Sequence, residues 1–312
     1  MSIKAQTLIE VSEISKSYGD REAVKNLSFS VAEGTVLGLL GANGAGKTTI
    51  VNMLTTLTSI DTGHASICGY DVSSQPYEIR QLIGLAGQFA AIDEKLTARE
   101  NLKLFGRLNK ISGRNLNARI DDLLQRFRMA DFADQIAGTC SGGQRRRLDV
   151  VSALIAKPAT LFLDEPTTGL DPRSRADIWE VIEDLADEGT SVLLTTQYLH
   201  EADRLADEIV LIDHGMIVAS GTPDELKREL NRDVLEIHLD SDVAFRSAVR
   251  LVNDQPDIGT DENAMTIRIP LSNGAVGSLA LLRRLDDAGV TIRDFQVRRP
   301  TLDDVFLAFT DA

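Results

Sequence analysis

Gly41-Ala42-Asn43-Gly44-Ala45-Gly46-Lys47-Thr48-Thr49 fits the pattern G-x-x-x-x-G-K-[ST] and follows the apolar run Val36-Leu37-Gly38-Leu39-Leu40. A strand that ends in such a loop and opens a helix makes a phosphate cradle. Glycines without a Cβ let the backbone curl around an anion with its N–H groups pointing inward. The start of the following helix adds the positive end of its dipole. Lys47 can reach the outer phosphates, and the Thr48 hydroxyl can ligate Mg²⁺. Gly41, Asn43, Gly44, Gly46, Lys47, Thr48 and Thr49 are therefore the first candidate binding residues.

Two further segments narrow the reading. Thr160-Leu161-Phe162-Leu163-Asp164-Glu165 is an apolar run closing on two carboxylates, the pattern of a buried parallel strand. Ligands of parallel α/β sheets bind at the carboxyl ends of strands. Asp164 is then placed to hold the Mg²⁺ shell, directly or through water, and Glu165 to polarise a water for attack on a phosphate. The other segment is Cys140-Ser141-Gly142-Gly143-Gln144, followed by Arg145-Arg146-Arg147. Ser141 can cap the next helix, and the two glycines leave N–H groups open to a phosphate. A second phosphate-binding helix start this far along the chain suggests that one copy supplies the first loop and another copy the second. Arg145 and Arg146 read as a solvated basic face.

At this point the chain resembles the ATP-binding cassette (ABC) ATPases, over about residues 7–225. The resemblance implies an α/β P-loop fold: a mixed β core with an α-helical subdomain at about residues 90–157. It also implies two cassettes joined head to tail, each ATP held between one chain's loop and the other's Ser141, Gly142, Gly143 and Gln144. Tyr18 matches the aromatic that stacks on adenine. Gln88, in Leu85-Ala86-Gly87-Gln88-Phe89, matches the glutamine that reaches Mg²⁺ and the attacking water. Asp171, in Gly169-Leu170-Asp171, matches the loop that crosses to the neighbouring site. The chain departs from the family twice. Gln197 stands where most cassettes carry a histidine; it keeps a hydrogen-bond donor at the catalytic site but cannot become charged near neutral pH, which leaves Glu165 as the acid–base candidate. Cys140 stands where leucine is usual and reads as a small packing residue.

The runs Leu193-Leu194-Thr195-Thr196-Gln197-Tyr198-Leu199 and Asp164–Arg175, with the tail Arg298-Arg299-Pro300-Thr301-Leu302-Asp303-Asp304-Val305-Phe306-Leu307, resemble the daunorubicin-resistance group of exporter ATPases. That implies a bacterial ATPase at the cytoplasmic face of the membrane, working with ATP and Mg²⁺. It would pair with a separate integral-membrane permease in efflux of a lipophilic drug-like or lipid-like substrate. Two other classes compete: a cytosolic ABC ATPase that moves no solute, and a nucleotide-dependent regulator that does not turn over. A single P-loop and the lack of a sustained heptad array count against the first. Glu165 counts against the second, which Gln197 keeps open.

Composition agrees with a peripheral subunit. The 312 residues are 43% hydrophobic, enough for a large core, yet no run approaches the ~20 apolar residues that cross a bilayer. Met1–Gln6 lacks the apolar core of a secretory signal. Two cysteines, Cys68 and Cys140, give no disulfide framework. The net charge of −14 argues against a nucleic-acid or anionic-lipid binder.

Periodicity supplies the rest. Strand alternation over 7–40 precedes a helix from Gly46 to about Leu57 and a short strand at Ile83–Ala86. Residues 97–137 carry apolar positions at helical spacing. A helix at Pro172–Asp187 joins the 160s strand to a strand at Ser191–Thr196, and Asp213-His214-Gly215 turns a hairpin. The cassette is expected over residues 1–228. Residues 229–312 form a small α+β appendage with strands at Val234–Leu239, Met265–Pro270 and Ile292–Val297. Its helices are expected at Val243–Val252, Val276–Ala288 and Leu302–Phe309. His238, Asp240 and Asp242 there read as a solvated strand edge rather than a metal site.

Overall fold

The computed structural model describes residues 7–88, 91–230, 233–255, 258–271 and 274–310. The chain divides into two compact units between Ser220 and Gly221. In the first, chain order is β1 (Thr7–Tyr18), β2 (Arg21–Ala32), β3 (Val36–Leu40), α1 (Lys47–Leu54), β4 (Thr62–Ile67), β5 (Tyr70–Asp71), α2 (Pro76–Leu82), β6 (Ile83–Ala86), α3 (Ala98–Leu108), α4 (Gly113–Arg126), α5 (Gly142–Ala153), β7 (Thr160–Asp164), α6 (Pro172–Asp187), β8 (Ser191–Thr196), α7 (Leu199–Leu205), β9 (Glu208–Asp213) and β10 (Met216–Gly221).

These strands make two sheets, ordered β2-β1-β4-β5 and β10-β9-β3-β8-β7-β6. The first is antiparallel throughout. In the second, β9, β3, β8, β7 and β6 run parallel. A parallel sheet covered on both faces demands continuous apolar strands, and every residue of β3, β7 and β8 is buried. Alternate side chains serve different cores. Leu37, Leu39, Phe162 and Leu193 join Ile9, Val11, Leu27, Ile50 and Met53, between the two sheets and α1. Val36, Leu161, Leu163, Val192 and Leu194 join Leu102, Ile120, Leu124, Leu148 and Ile182 of the helical layer. Packing against this one sheet therefore fixes where the four carboxyl-terminal strand ends β3, β6, β7 and β8 come together.

The local signals explain the helix starts. Thr97 and Glu100 form a reciprocal capping box at α3, and Ser141 with Gln144 forms another at α5. Asp171 caps α6 just before Pro172, where a missing N–H costs nothing. The first helix is shorter than expected and stops at Leu54, before Thr56 in the left-handed region. The 97–137 stretch breaks between α3 and α4 and ends in two short 3₁₀ turns, Ala130–Phe132 and Ala137–Thr139. Strands β4 and β5 and helices α2 and α7 add to the expected elements.

The second unit contains α8 (Pro223–Glu229), β11 (Val234–Leu239), α9 (Asp242–Val252), β12 (Gly259–Asp261), β13 (Thr266–Pro270), α10 (Gly274–Asp287), β14 (Ile292–Arg298) and α11 (Leu302–Thr310). Its sheet order is β12-β13-β11-β14. Leu235, Ile237, Ile267 and Ile269 pack on Phe245, Val252 and Leu285 of the helices. The expected domain boundary at 228/229 falls at the end of α8. The helix instead groups with the second unit, where it packs against α11. Among the described residues no helix is long and apolar enough to cross a membrane.

Candidate functional site

The parallel strand ends open onto a cleft of about 570 Å³ lined by Tyr18, Arg21, Ala23, Asn43, Gly44, Gly46, Lys47, Thr48, Thr49, Gln88, Glu165, Thr168 and Gln197. The loop after β3 carries the cradle. Gly46 has φ +113°, and a Cβ there would stand 2.6 Å from the Ala23 carbonyl. Only glycine takes that backbone without displacing β2. The helix α1 starts at Lys47, so its unpaired N–H groups face the loop.

Lys47 is 4% exposed. Its Nζ donates to the carbonyls of Gly41 at 2.7 Å and Ala42 at 3.0 Å and stands 3.6 Å from Glu165 Oε1. Burial pushes its ammonium below the ordinary value, against the opposing pull of Glu165 and Asp164. A buried cation so placed favours an anion beside it. Asp164 is also buried; its Oδ1 accepts from Thr195 Oγ1 at 2.5 Å and from Thr48 Oγ1 at 3.3 Å. The Thr48 hydroxyl and the Asp164 carboxylate in contact, with the Gln88 amide in the cleft that Thr48 lines, are the hard donors that Mg²⁺ takes.

Glu165 has φ +48°, a strained conformation for a residue with a Cβ. Its N–H is held by Thr195 Oγ1 at 3.0 Å, and its Oε2 accepts from Thr168 Oγ1 at 3.2 Å. The strained turn carries its carboxylate into the cleft. Tyr18, at the end of β1, is 51% exposed and lines the same cleft. Gln88 and Gln197 line it from the ends of β6 and β8. Phe89, read together with Gln88, lies outside the described residues.

Ser141, Gly142, Gly143, Gln144 and Asp171 are not among the cleft's lining residues. Ser141 and Gly142 are exposed. Ser141 Oγ accepts from the Gln144 N–H at 3.2 Å, and Gln144 Oε1 accepts from the Ser141 N–H at 2.9 Å. Asp171 Oδ2 accepts from Ser174 Oγ at 2.7 Å, and its Oδ1 accepts from the Arg173 and Ser174 N–H groups at 3.0 Å. The Ser174 hydroxyl and then the backbone N–H groups hold the Asp171 carboxyl below its usual range. The two segments touch: a Cβ on Gly143 would stand 2.2 Å from Ser174 Oγ. Ser141 and Asp171 thus belong to one exposed edge, apart from the cleft of the same chain.

The basic run after Ser141 is not a solvated face at Arg146, contrary to expectation. Arg146 is 9% exposed, and its guanidinium donates to Pro166 O, Gly87 O, Asp164 O and Asp149 Oδ2. Burial pushes the Asp149 carboxyl upward even beside this cation. Three consecutive arginines look alike in sequence; only the Asp149 three residues on hinted at a buried pair. Cys140 is a buried packing residue with its thiol raised by burial. His200 is exposed, beside Arg175 and edge-on to Trp179. Sequence reasoning also missed Arg21, whose Nη2 donates to Gly44 O at 3.2 Å, and Thr195, which organises Asp164 and Glu165. In the second unit, His238 pairs with Thr266 and Glu236.

Comparison with known proteins matches two family models: ABC transporter over residues 24–168, and the C-terminal domain of DrrA1-3-like ATP-binding proteins over residues 221–310. The daunorubicin resistance ATP-binding protein DrrA2 of Streptomyces coeruleorubidus is 45% identical, over 97% of this chain and 94% of its own length. The daunorubicin/doxorubicin resistance protein DrrA of Streptomyces peucetius is 42% identical, over 99% and 94%. Nod factor export ATP-binding protein I of Ralstonia nicotianae is 36% identical, over 99% and 95%. Among solved structures, an ATP-binding subunit of an ABC transporter is 28% identical with a TM-score of 0.65, over 72% of this chain and 93% of that one.

Proposed function

The chain belongs to the ATP-binding subunits of ABC transporters, in the daunorubicin-resistance group, and we propose that two copies, closing on ATP, drive a separate membrane permease. It binds nucleotide and hydrolyses ATP as the ATPase subunit of an exporter. The exported substrate is lipophilic, drug-like or lipid-like; the named activities of the relatives support this. The chain works at the cytoplasmic face of the membrane, attached through its permease.

The observation that carries the paired arrangement is the split of the phosphate-binding parts. The cleft is lined by the Lys47 loop, Glu165, Gln88 and Gln197, with Asp164 buried behind Thr48, while the exposed Ser141, Gly142 and Asp171 and the half-buried Gly143 and Gln144 are not among its lining residues. A second copy, turned head to tail, supplies these residues. Tyr18, half exposed where it lines the cleft, stacks on the adenine. Lys47 and the loop N–H groups take the phosphate charge, and the Ser141 helix start of the other copy meets the outer phosphate. Glu165 orients and deprotonates the attacking water; Gln197 donates a hydrogen bond without changing charge. Thr48, Asp164 and Gln88 would hold Mg²⁺, which neutralises charge on the phosphates.

The test is a gentle-detergent pull-down of the tagged chain from its native membranes. Recovery of a stoichiometric multi-helix membrane protein supports the exporter. Recovery from the cytosol alone, or with ribosomes or DNA, would sink it.

A further inference from the structure

Arg146 lies one turn into the helix that Ser141 caps, yet its guanidinium reaches carbonyls beside Gln88 and on both sides of Glu165. Its guanidinium meets Gly87 O at 2.6 Å, at the entrance to the Gln88 loop. It meets Asp164 O at 3.1 Å and Pro166 O at 2.8 Å, the carbonyls on either side of Glu165. Its remaining partner is Asp149 Oδ2 at 3.0 Å, and Asp149 Oδ1 accepts from the Ala91 N–H at 2.9 Å, beyond the Gln88 loop. Two residues three apart on α5 therefore bracket both Gln88 and Glu165.

We infer that Arg146, with Asp149, is a positioning residue that ties Gly87, beside Gln88, and the Glu165 turn to the helix carrying Ser141. The inference rests on the ATPase reading of the cleft and deepens it. Arg146 touches no reacting atom. Nε and Nη2 hold the two carbonyls that flank Glu165 while Nη1 serves Gly87 O and Asp149, which a planar fork of five N–H donors can do and a single ammonium cannot. Both side chains are nine-tenths or more buried, so the clamp is shielded from water. Movement of the Ser141 helix, as it meets the other copy's phosphate, is passed directly to the peptide on both sides of Glu165. The occupied edge of one site thereby sets the hydrolytic geometry of its own chain's cleft.

The experiment measures steady-state ATP turnover by the full chain carrying Arg146→Lys, alone and combined with Gln88→Ala. Arg146→Lys is expected to lower kcat about tenfold or more with KM within about twofold. In the Gln88→Ala background it should add a smaller loss than in the native chain, because only the Glu165 turn is then left for it to position. Asp149→Asn should repeat the kcat loss more weakly and guards against a folding failure of the arginine variant. A raised KM with unchanged kcat, or losses that multiply fully with Gln88→Ala, would overturn the inference while leaving the ATPase intact. A native chain without turnover would instead remove the reading beneath it.

Discussion

Replacing Glu165 by glutamine should lower turnover and tighten ATP binding together. The amide is nearly isosteric and can still accept the Thr168 hydroxyl, now 3.2 Å from Oε2. It cannot take a proton from water. Loss of a general base removes roughly 10²–10⁴ of rate, or about 2.7–5.5 kcal/mol of barrier. The second effect follows from Lys47. A carboxylate 3.6 Å from its ammonium interacts by about 4–5 kcal/mol at an effective dielectric near 20. That carboxylate competes with the triphosphate for Lys47 and repels the phosphate directly. Lys47 retains the Gly41 and Ala42 carbonyls in either case, so only a part of this energy is released. A gain of about 1.4 kcal/mol, tenfold in ATP affinity, is the expected size. Isothermal titration with ATP and phosphate release under saturating ATP measure the two numbers. Turnover within tenfold of the native chain would refute the base assignment, and weaker ATP binding would refute the competition for Lys47.

Lys47→Ala removes charge-assisted bonds of about 1.5–3 kcal/mol to a phosphate, so ATP affinity should fall roughly 10–100-fold; unchanged affinity in the same titration counts against the cradle. Gly143→Ala puts a Cβ 2.2 Å from Ser174 Oγ and should destabilise the first unit by about 1–3 kcal/mol, read as a lower urea midpoint. In the second unit, burial of Asp304 is outweighed by Arg298 and the Thr301 N–H, which hold its carboxyl below the ordinary value. Its stabilising contribution is complete above the unfolded value of about 3.9 and is lost as pH falls through the lower folded value. Asp304→Asn should flatten the acid limb of a stability–pH curve; an unaltered limb would show that the Arg298 pair is not its source.

Much of the cleft was legible because its parts are contiguous in sequence. Gly41–Thr49 and Thr160–Glu165 each place a strand, a turn and the chemistry in one short run, and the parallel sheet then brings the runs together. What was hidden depends on tertiary neighbours. Arg146 draws its partners from backbone carbonyls on separate segments, which leave no side-chain signature. Strand β4 is exposed over Thr62-Gly63-His64, and only Ala65 and Ile67 are buried, too short an apolar alternation to mark a strand. The start of α8 was available locally in Thr222-Pro223-Asp224-Glu225, a capping box with proline at the first position. Its membership of the second unit depended on packing alone. Helix α11 followed its apolar spacing, but the bidentate Arg298–Asp304 pair at its start required the turn at Thr301.

The division of the phosphate-binding parts between cleft and exposed edge is best tested by sedimentation velocity of the Glu165→Gln chain with and without ATP and Mg²⁺. The account predicts a monomer that becomes a dimer with ATP and stays monomeric when Ser141→Arg is added. A chain that remains monomeric at saturating ATP, or a dimer indifferent to Ser141→Arg, would contradict it.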